Sequence, residues 1–254
     1  MSVVDTDLVE YGSANMQETD SGAQGGAIDL TTKIVPTSST LMNTLNDTVD
    51  VVSTDAGDTT QTVTITGRNA AGSIITEALA LNGITLVSGG TTFERLLKIV
   101  VSGAHAGTIN VRQGGEVTVI AALETGILQL RRKHYNVAAD VAGGSERNYY
   151  EKSFIKNNNG TNALLGAVVT ENADPESQIT FALEDAVDDN GTSADRVSAP
   201  AGITGDGFSS SAKNVPGTDL GPGVAIGLWT KLTLPAGDPA TKTTYTPRIA
   251  GSTT

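Results

Sequence analysis

The sequence predicts an all-β protein: two tandem antiparallel β-sandwich domains preceded by an extended N-terminal arm. Three observations support this fold class. Short apolar segments alternate with polar residues at a period of two, glycine-rich turns separate them about every 8–12 residues, and no segment carries a helical apolar stripe over three turns. We place the arm at residues 1–42 and the two domains at 43–137 and 138–254.

Residues 1–42 are polar and rich in glycine and other small residues, and their apolar side chains follow no regular spacing. Such a segment cannot bury enough surface to order itself. We therefore predict an arm that becomes ordered by contacts with other subunits, with a disordered tail as the alternative. The candidate contact residues of the arm are Met16, Ile28, Ile34 and Val35.

The first domain begins where the strand pattern begins. Thr60–Thr66 alternates strictly, with Val63 and Ile65 on one face and threonines on the other, which is typical of a half-buried strand. Asn82-Gly83 is a strong hairpin signal. The best helix candidate, 91–97, is short. Further strands are predicted at 49–53, 74–81, 96–101, 108–112, 116–122 and 127–135.

A small-residue segment at 137–145 is the best domain boundary. Beyond it, a long loop rich in Asp, Ser, Gly and Pro runs over 184–219, and a loop of this length is usually functional or ordered by a partner. Trp229, the single tryptophan, is predicted to anchor the core of the second domain. Strands are predicted at 150–156, 164–170 and 178–183, and a strand pair within 223–234.

Composition excludes several functional classes. The chain has no cysteine, so disulfides, thiolate metal sites and cysteine nucleophiles are excluded. A net charge of -12 repels phosphate backbones, which disfavours a nucleic-acid-binding role. No apolar run approaches the roughly 20 residues of a membrane helix, and acids stand where a secretory signal needs bases. We expect no membrane association and no signal peptide.

Six basic residues are concentrated within 131–156 of this acidic chain. They predict a docking strip for an acidic protein partner, and the alternatives are ordinary exposed strand ends or, less favoured, contact with RNA or DNA. The six are Arg131, Arg132, Lys133, Arg147, Lys152 and Lys156.

The residues suited to catalysis are few. His105 and His134 lie in no motif that supplies a nucleophile and an orienting partner, so surface positions are the better interpretation of both. The acidic run Asp185–Asn190 fails the spacing of an EF-hand loop, and an Asn-Gly turn is favoured there over an irregular calcium site. We predict no catalytic residues, no metal site and no cofactor.

Several segments resemble structural proteins of tailed bacteriophages. Two of them, 58–67 and 72–83, resemble their strand pairs, and Thr92–Arg95 continues that likeness. Tyr11–Asn15 with Gly25–Ile28 resembles the start of such proteins. The remaining segments that carry the likeness are Tyr150–Asn157 and Gly223–Leu232.

The resemblance implies β-sandwich modules without enzymatic activity and without catalytic residues. The expected function is that of a capsid decoration or cement protein that stabilises the assembled phage head, located in the virion and assembled in the bacterial cytoplasm. The expected partners are the major capsid protein or other virion proteins, and copies of the chain itself in a trimer or other homo-oligomer. A tail, adaptor or baseplate component is the alternative. A glycan-binding or glycan-cleaving surface protein is less favoured because aromatic residues make up only 4% of the chain.

Overall fold

A computed structural model describes residues 2–35, 45–137, 144–173, 178–203, 207–237 and 245–253. It is all-β, with 53% strand and 2% helix. The chain divides into two compact units. Both chain ends, Met1–Asp29 and Lys133–Thr254, form what we call the terminal unit, and Leu30–Arg132 forms the central unit.

The described residues contain seventeen strands. In chain order they are β1 Leu8–Met16, β2 Gln24–Ile34, β3 Val49–Ser53, β4 Thr62–Arg68, β5 Ile74–Ala80, β6 Val87–Ser88, β7 Arg95–Val101, β8 Ile109–Gln113, β9 Val119–Leu123, β10 Gln129–Arg131, β11 Arg147–Asn157, β12 Leu164–Ala173, β13 Ile179–Val187, β14 Thr192–Ser193, β15 Lys213–Asn214, β16 Ala225–Leu234 and β17 Thr246–Thr253. A single turn of 3-10 helix at Asp5–Asp7 precedes them. No helix among the described residues is long and apolar enough to cross a bilayer.

In the terminal unit the main sheet has the order β13-β16-β11-β1-β2, and β14 pairs with β2. A second sheet has the order β15-β12-β17. Strand β11 pairs with β16 in unbroken antiparallel register, from Arg147 opposite Leu234 to Lys156 opposite Ala225. Because successive side chains point to opposite faces of a strand, β11 contributes to two separate cores.

One of these cores holds most of the buried apolar residues of the terminal unit, including Tyr149, Ile155 and Leu228. The other is a small cluster of Tyr150, Ala182, Ile203, Phe208 and Trp229. Trp229 is fully buried, which confirms the prediction that it is a core residue.

The central unit also has two sheets. One has the order β10-β7-β4-β5, with the end of β2 running parallel to β10 from Thr32 to Ile34. The other has the order β6-β3-β8-β9. Val63 and Ile65 on β4 are fully buried while Thr62 and Thr64 are half-buried, as the alternation predicted.

The structure divides the chain differently from the sequence prediction, and neither the arm nor the tandem sandwiches are confirmed. Residues 8–16 form β1, which pairs with β11 from Leu8 opposite Asn157 to Gly12 opposite Ser153. The N-terminal segment therefore belongs to the chain's own sheets. The best helix candidate of the sequence, 91–97, is not helical: its last three residues begin β7 and the rest is loop. The predicted strand pair near the C-terminus is one strand, β16.

Candidate functional site

The six bases of the predicted docking strip are divided between the two units of the chain. Arg131 and Arg132 belong to the central unit, and the other four belong to the terminal unit. On β11, Arg147 points to the opposite face from Lys152 and Lys156 because their positions differ by odd numbers. Arg131, Arg132 and Lys152 are buried, whereas Arg147 and Lys156 are partly exposed. A docking role therefore stays a prediction for Arg147 and Lys156, while the buried bases are used inside the protein.

Lys152 is fully buried and forms an ion pair on one face of β11. Its Nζ lies 2.6 Å from Glu184 Oε1 and 3.8 Å from Asp189 Oδ1. The same ammonium donates to the carbonyl oxygens of Asp189 and Gly191, at 3.0 and 3.1 Å. Glu184 Oε1 also accepts a hydrogen bond from Trp229 Nε1 at 2.7 Å. This group of charges fastens the turn after β13 to the centre of the sheet.

Glu151 and Arg196 form a second buried pair on the other face of β11, and neither side chain is exposed to solvent. Arg196 Nη2 donates to Glu151 Oε1, while its Nη1 donates to the carbonyl oxygens of Glu18 and Asn136. The backbone N–H of His134 donates to the other carboxylate oxygen of Glu151 at 2.9 Å. The pair thus joins three loop segments to β11.

Lys133 forms a third group beside Glu10 of β1. Its Nζ lies 2.7 Å from Glu10 Oε1, and Ser153 Oγ donates to the same oxygen at 2.6 Å. The next residue, His134, has a left-handed backbone with φ of 53°, and its Nε2 lies 2.9 Å from Thr230 Oγ1. Thr230 is fully buried, whereas His134 is partly exposed.

These three groups act on the protein itself. Their cations and carboxylates bond to each other or to backbone groups, and all of them are largely buried except Asp189, whose side chain is 38% exposed. Their ion pairs and hydrogen bonds connect segments that are distant in sequence, and these contacts fix the positions of the loops on the sheet. Breaking such a pair leaves an uncompensated buried charge, and that is strongly destabilising.

The central unit holds a buried carboxylate, Asp58, in a different way. It accepts hydrogen bonds from Ser53 Oγ at 2.6 Å and from the backbone N–H groups of Ala106 and Gly107 at 2.8 and 3.0 Å. Burial works to raise the pKa of Asp58, but these hydrogen bonds and the charge of His105 together lower it below its ordinary value of 3.8. Asp58 therefore stays ionised while it holds the turn between β7 and β8.

His105 is buried in that turn, so the expectation of a surface position is wrong. Its Nδ1 lies 2.7 Å from the carbonyl oxygen of Gly107, and its Nε2 lies 2.9 Å from that of Ile127. A carbonyl only accepts, so both contacts are hydrogen bonds when both ring nitrogens carry protons. The His105 ring therefore connects the 102–108 turn to the turn before β10, and this role is structural.

Arg132 lies at the end of β10, and its backbone N–H donates to the carbonyl of Leu97 on β7 at 3.0 Å. Burial, followed by the charges of Arg95 and Arg68, lowers the pKa of Arg132 to about 9, while Glu94 opposes the effect. The group remains charged at neutral pH. Arg131, its neighbour, pairs across the sheet with Lys98.

The four candidate residues of the predicted arm lie in or next to strands of the chain's own sheets. Met16 ends β1 and is half-buried, and Ile28 lies half-buried within β2. Ile34 ends β2 and is buried, and the half-buried Val35 donates its N–H to the carbonyl of Arg131. The expectation that other subunits order this segment is corrected for residues 8–34, because intramolecular strand pairing orders it.

The acidic run at the end of β13 accepts hydrogen bonds from backbone N–H groups of the same chain. Asp188 Oδ1 accepts from the N–H of Ala225, and Asp189 Oδ1 accepts from the N–H of Gly191. Within the described ranges, no group of three or more His, Asp or Glu side chains is placed to hold a metal ion. A cleft of about 290 Å³ opens nearby, lined by Glu184, Asp185 and Lys213 among others. Because Glu184 already serves Lys152 and Trp229, this cleft offers few unused polar groups.

The sequence did not reveal which charged residues form the buried ion pairs. Arg196 stands in the Asp- and Ser-rich loop predicted at 184–219, and nothing in its neighbourhood indicates burial. Glu151 and Lys152 are adjacent on β11, and alternation could have placed them on opposite faces. Their partners, about 45 and 32 residues away, follow only from the tertiary fold.

Comparison with protein-family models, curated proteins and solved structures found no match to this chain.

Proposed function

We propose that this chain is a non-enzymatic structural protein of a tailed-bacteriophage virion, and that it binds and stabilises the assembled head as a decoration or cement protein. The proposal starts from the resemblance of its sequence segments to such proteins. It is compatible with the all-β architecture, since extended backbone contacts suit repetitive assemblies.

The observation that carries the proposal is where the resembling segments lie. Tyr150–Asn157 and Gly223–Leu232 are far apart in sequence, yet they fall on the paired strands β11 and β16. Tyr11 and Gly12, from the opening segment, pair with Phe154 and Ser153 on the other side of β11. Segments noted separately for their likeness thus form one contiguous part of the terminal unit.

The segments 58–67 and 72–83 behave in the same way in the central unit. They include β4 and β5, which pair from Thr62 opposite Ala80 to Arg68 opposite Ile74. Each resembling pair is therefore a local structural module, which supports a shared architecture over a coincidence of composition.

Stabilisation would operate by mass action. A protein that binds only the assembled shell shifts the disassembly equilibrium toward the shell, and several weak contacts add when the protein is itself oligomeric. Arg147 and Lys156, the partly exposed bases of β11, point to opposite faces of the strand, so each is proposed as a separate docking charge for an acidic capsid surface, where it would tune encounter rate and register.

The test compares purified particles that contain this protein with particles that lack it. Copy number relative to the major capsid protein separates the head from the tail, because decoration requires hundreds of copies and a tail component at most a few dozen. We expect depleted particles to release their genome at lower temperature. Equal thermal and osmotic robustness, with the protein confined to the tail, would replace the decoration proposal with the tail alternative.

The docking charges are tested by a pull-down of particles at low and high salt. The variants Arg147→Glu and Lys156→Glu are tested one at a time, because the two side chains point to opposite faces of β11, and each should bind more weakly at low salt. Arg248→Glu, an exposed base on β17 outside the strip, is the matched control. Equal loss in the control, or no loss in a variant, would reject the docking role of the base that it replaces.

A further inference from the structure

Three arginines of the central unit converge on one part of its sheet. Arg68 on β4 and Arg95 on β7 stand directly opposite each other in the antiparallel register. Opposed residues share a face with Cβ atoms about 5 Å apart. Arg132 is bonded through its backbone to Leu97, two positions along β7 from Arg95. The charges of Arg95 and Arg68 both act on the Arg132 guanidinium.

Among the described residues, Glu94 is the carboxylate whose charge acts on these three cations. It forms an ion pair with Arg95, with 2.5 Å between Oε2 and Nη1. Its charge also acts on both Arg68 and Arg132. Counted over the described residues, three guanidinium groups and one carboxylate leave a local excess of about two positive charges, inside a chain whose net charge is -12.

Arg132 is the most deeply buried of the three. Its residue is 8% exposed, and its Nε has no hydrogen-bond partner among the described residues. A buried donor without a partner is costly, and like charges nearby add to the cost of burying the guanidinium. An anion that entered this cluster would offset both penalties, so the vacant hydrogen-bonding capacity of Arg132 is an independent indication of a ligand.

We propose that Arg68, Arg95 and Arg132 bind a phosphate group, either as inorganic phosphate or as a phosphomonoester. Guanidinium groups present planar pairs of donors that match phosphate oxygens in bidentate geometry. A phosphate carries a charge near -2 at neutral pH, which matches the local excess. Arg68 is half-exposed and gives the ligand an approach from solvent. This site does not depend on the assembly role proposed above.

The charge count also predicts selectivity. A carboxylate would neutralise only half of the excess, so acetate should bind much more weakly than phosphate. Chloride at equal ionic strength should reproduce none of the binding, because general screening does not need convergent donors.

The experiment is isothermal titration of the full chain with inorganic phosphate, with methyl phosphate and with acetate, at constant ionic strength. We expect one saturable phosphate site. Arg68→Gln should weaken it by about tenfold or more, which is the scale of a hydrogen bond to a charged group. Arg248→Gln, an exposed arginine of β17 in the terminal unit, should leave it unchanged. Binding of methyl phosphate would identify phosphomonoesters as ligands, and its exclusion would identify free phosphate.

Amide chemical shifts of the wild-type chain keep the test decisive if Arg68→Gln fails to fold. Phosphate should shift the backbone amides of Arg68, Arg95 and Arg132 in a saturable way. The proposal is overturned if phosphate gives no more heat than chloride, if the shifts lie elsewhere, or if Arg248→Gln weakens binding as much as a folded Arg68→Gln.

Discussion

The two units differ in the partners of their buried charged side chains. In the terminal unit each fully buried cation meets a carboxylate: Lys152 meets Glu184, and Arg196 meets Glu151. In the central unit the buried Asp58 is held mainly by neutral donors, while Arg132 has neighbouring cations and an Nε without a partner. Matched charges indicate a structural task completed within the chain. In the central unit, the buried Arg132 Nε without a partner is the feature from which we propose a phosphate ligand.

The matched pairs act together with apolar contacts to fix the long loops. The loop after β14 places Ile203 and Phe208 in the small core with Trp229, and the guanidinium of its Arg196 reaches β11 and two backbone carbonyls. A buried ion pair often adds little net stability relative to an apolar replacement, but it fixes one arrangement. In the terminal unit the pairs therefore act mainly on specificity.

The largest expected effect comes from breaking the Glu151–Arg196 pair. Arg196→Met leaves the Glu151 carboxylate buried without its cation, which should destabilise the terminal unit by about 3–5 kcal/mol. Trp229 is the single tryptophan and all five tyrosines lie at 11, 135, 149, 150 and 245, so intrinsic fluorescence in a urea titration reports this unit alone.

The double variant Glu151→Met with Arg196→Met is the control for this prediction. It removes both charges, so we expect it to be less destabilised than Arg196→Met. If the double variant loses as much as the sum of the two single changes, the two residues are not energetically coupled and the comparison between the units fails.

A smaller effect is expected at Asp58 in the central unit. Asp58→Asn keeps the shape but replaces one acceptor oxygen by a donor, so one of the N–H groups of Ala106 and Gly107 loses its partner. The cost should be about 1–3 kcal/mol. Hydrogen exchange of the 102–108 amides measures it, and the ring signals of His105 report the same turn.

The acid dependence of this effect has a definite sign. The pKa of Asp58 is lower in the folded chain than its ordinary value of 3.8. The unfolded state therefore binds the proton more tightly, and the stability from Asp58 is present above about pH 4 and lost as the pH falls through the folded pKa. Asp58→Asn should remove this dependence from the 102–108 turn. Asp55→Asn, at an exposed neighbour that accepts the Gly57 N–H, should keep it, and an unchanged profile in Asp58→Asn would refute the assignment.

The sequence predicted the strands that have a clear period and missed those without one. Val49–Ser53 was predicted to the residue, because it is a short apolar segment bounded by polar turns. Strands β1 and β2 were missed because their glycines and scattered apolar residues show no alternation, and Gly25 has a φ of 89°. Strand β1 is ordered by pairing with β11, more than 130 residues later, and no local pattern contains such a partner.

The charged groups were still less predictable. The sequence located the six bases of 131–156, but exposure was assumed for all of them because most lysines and arginines lie at the surface. Lys152 is buried because Glu184 and two carbonyls compensate it, and that compensation depends on strand order. The convergence of Arg68 and Arg95 likewise depends on a register between strands separated by β5 and β6.

The smallest expected loss of stability comes from an exposed ion pair of the terminal unit, which can be compared with the buried pair of the same unit. Arg147 forms an ion pair with Asp20 at 3.2 Å, but their side chains are 39% and 47% exposed. Water screens this pair and both side chains lose rotamer freedom to form it, so Arg147→Met should cost about 0.5 kcal/mol or less, and high salt should reduce even that. Arg196→Met makes the same chemical change at a buried pair, and both are measured by Trp229 fluorescence. If burial, and not the ion pair alone, determines how much a charged side chain contributes to stability, Arg196→Met must lose several times more stability than Arg147→Met.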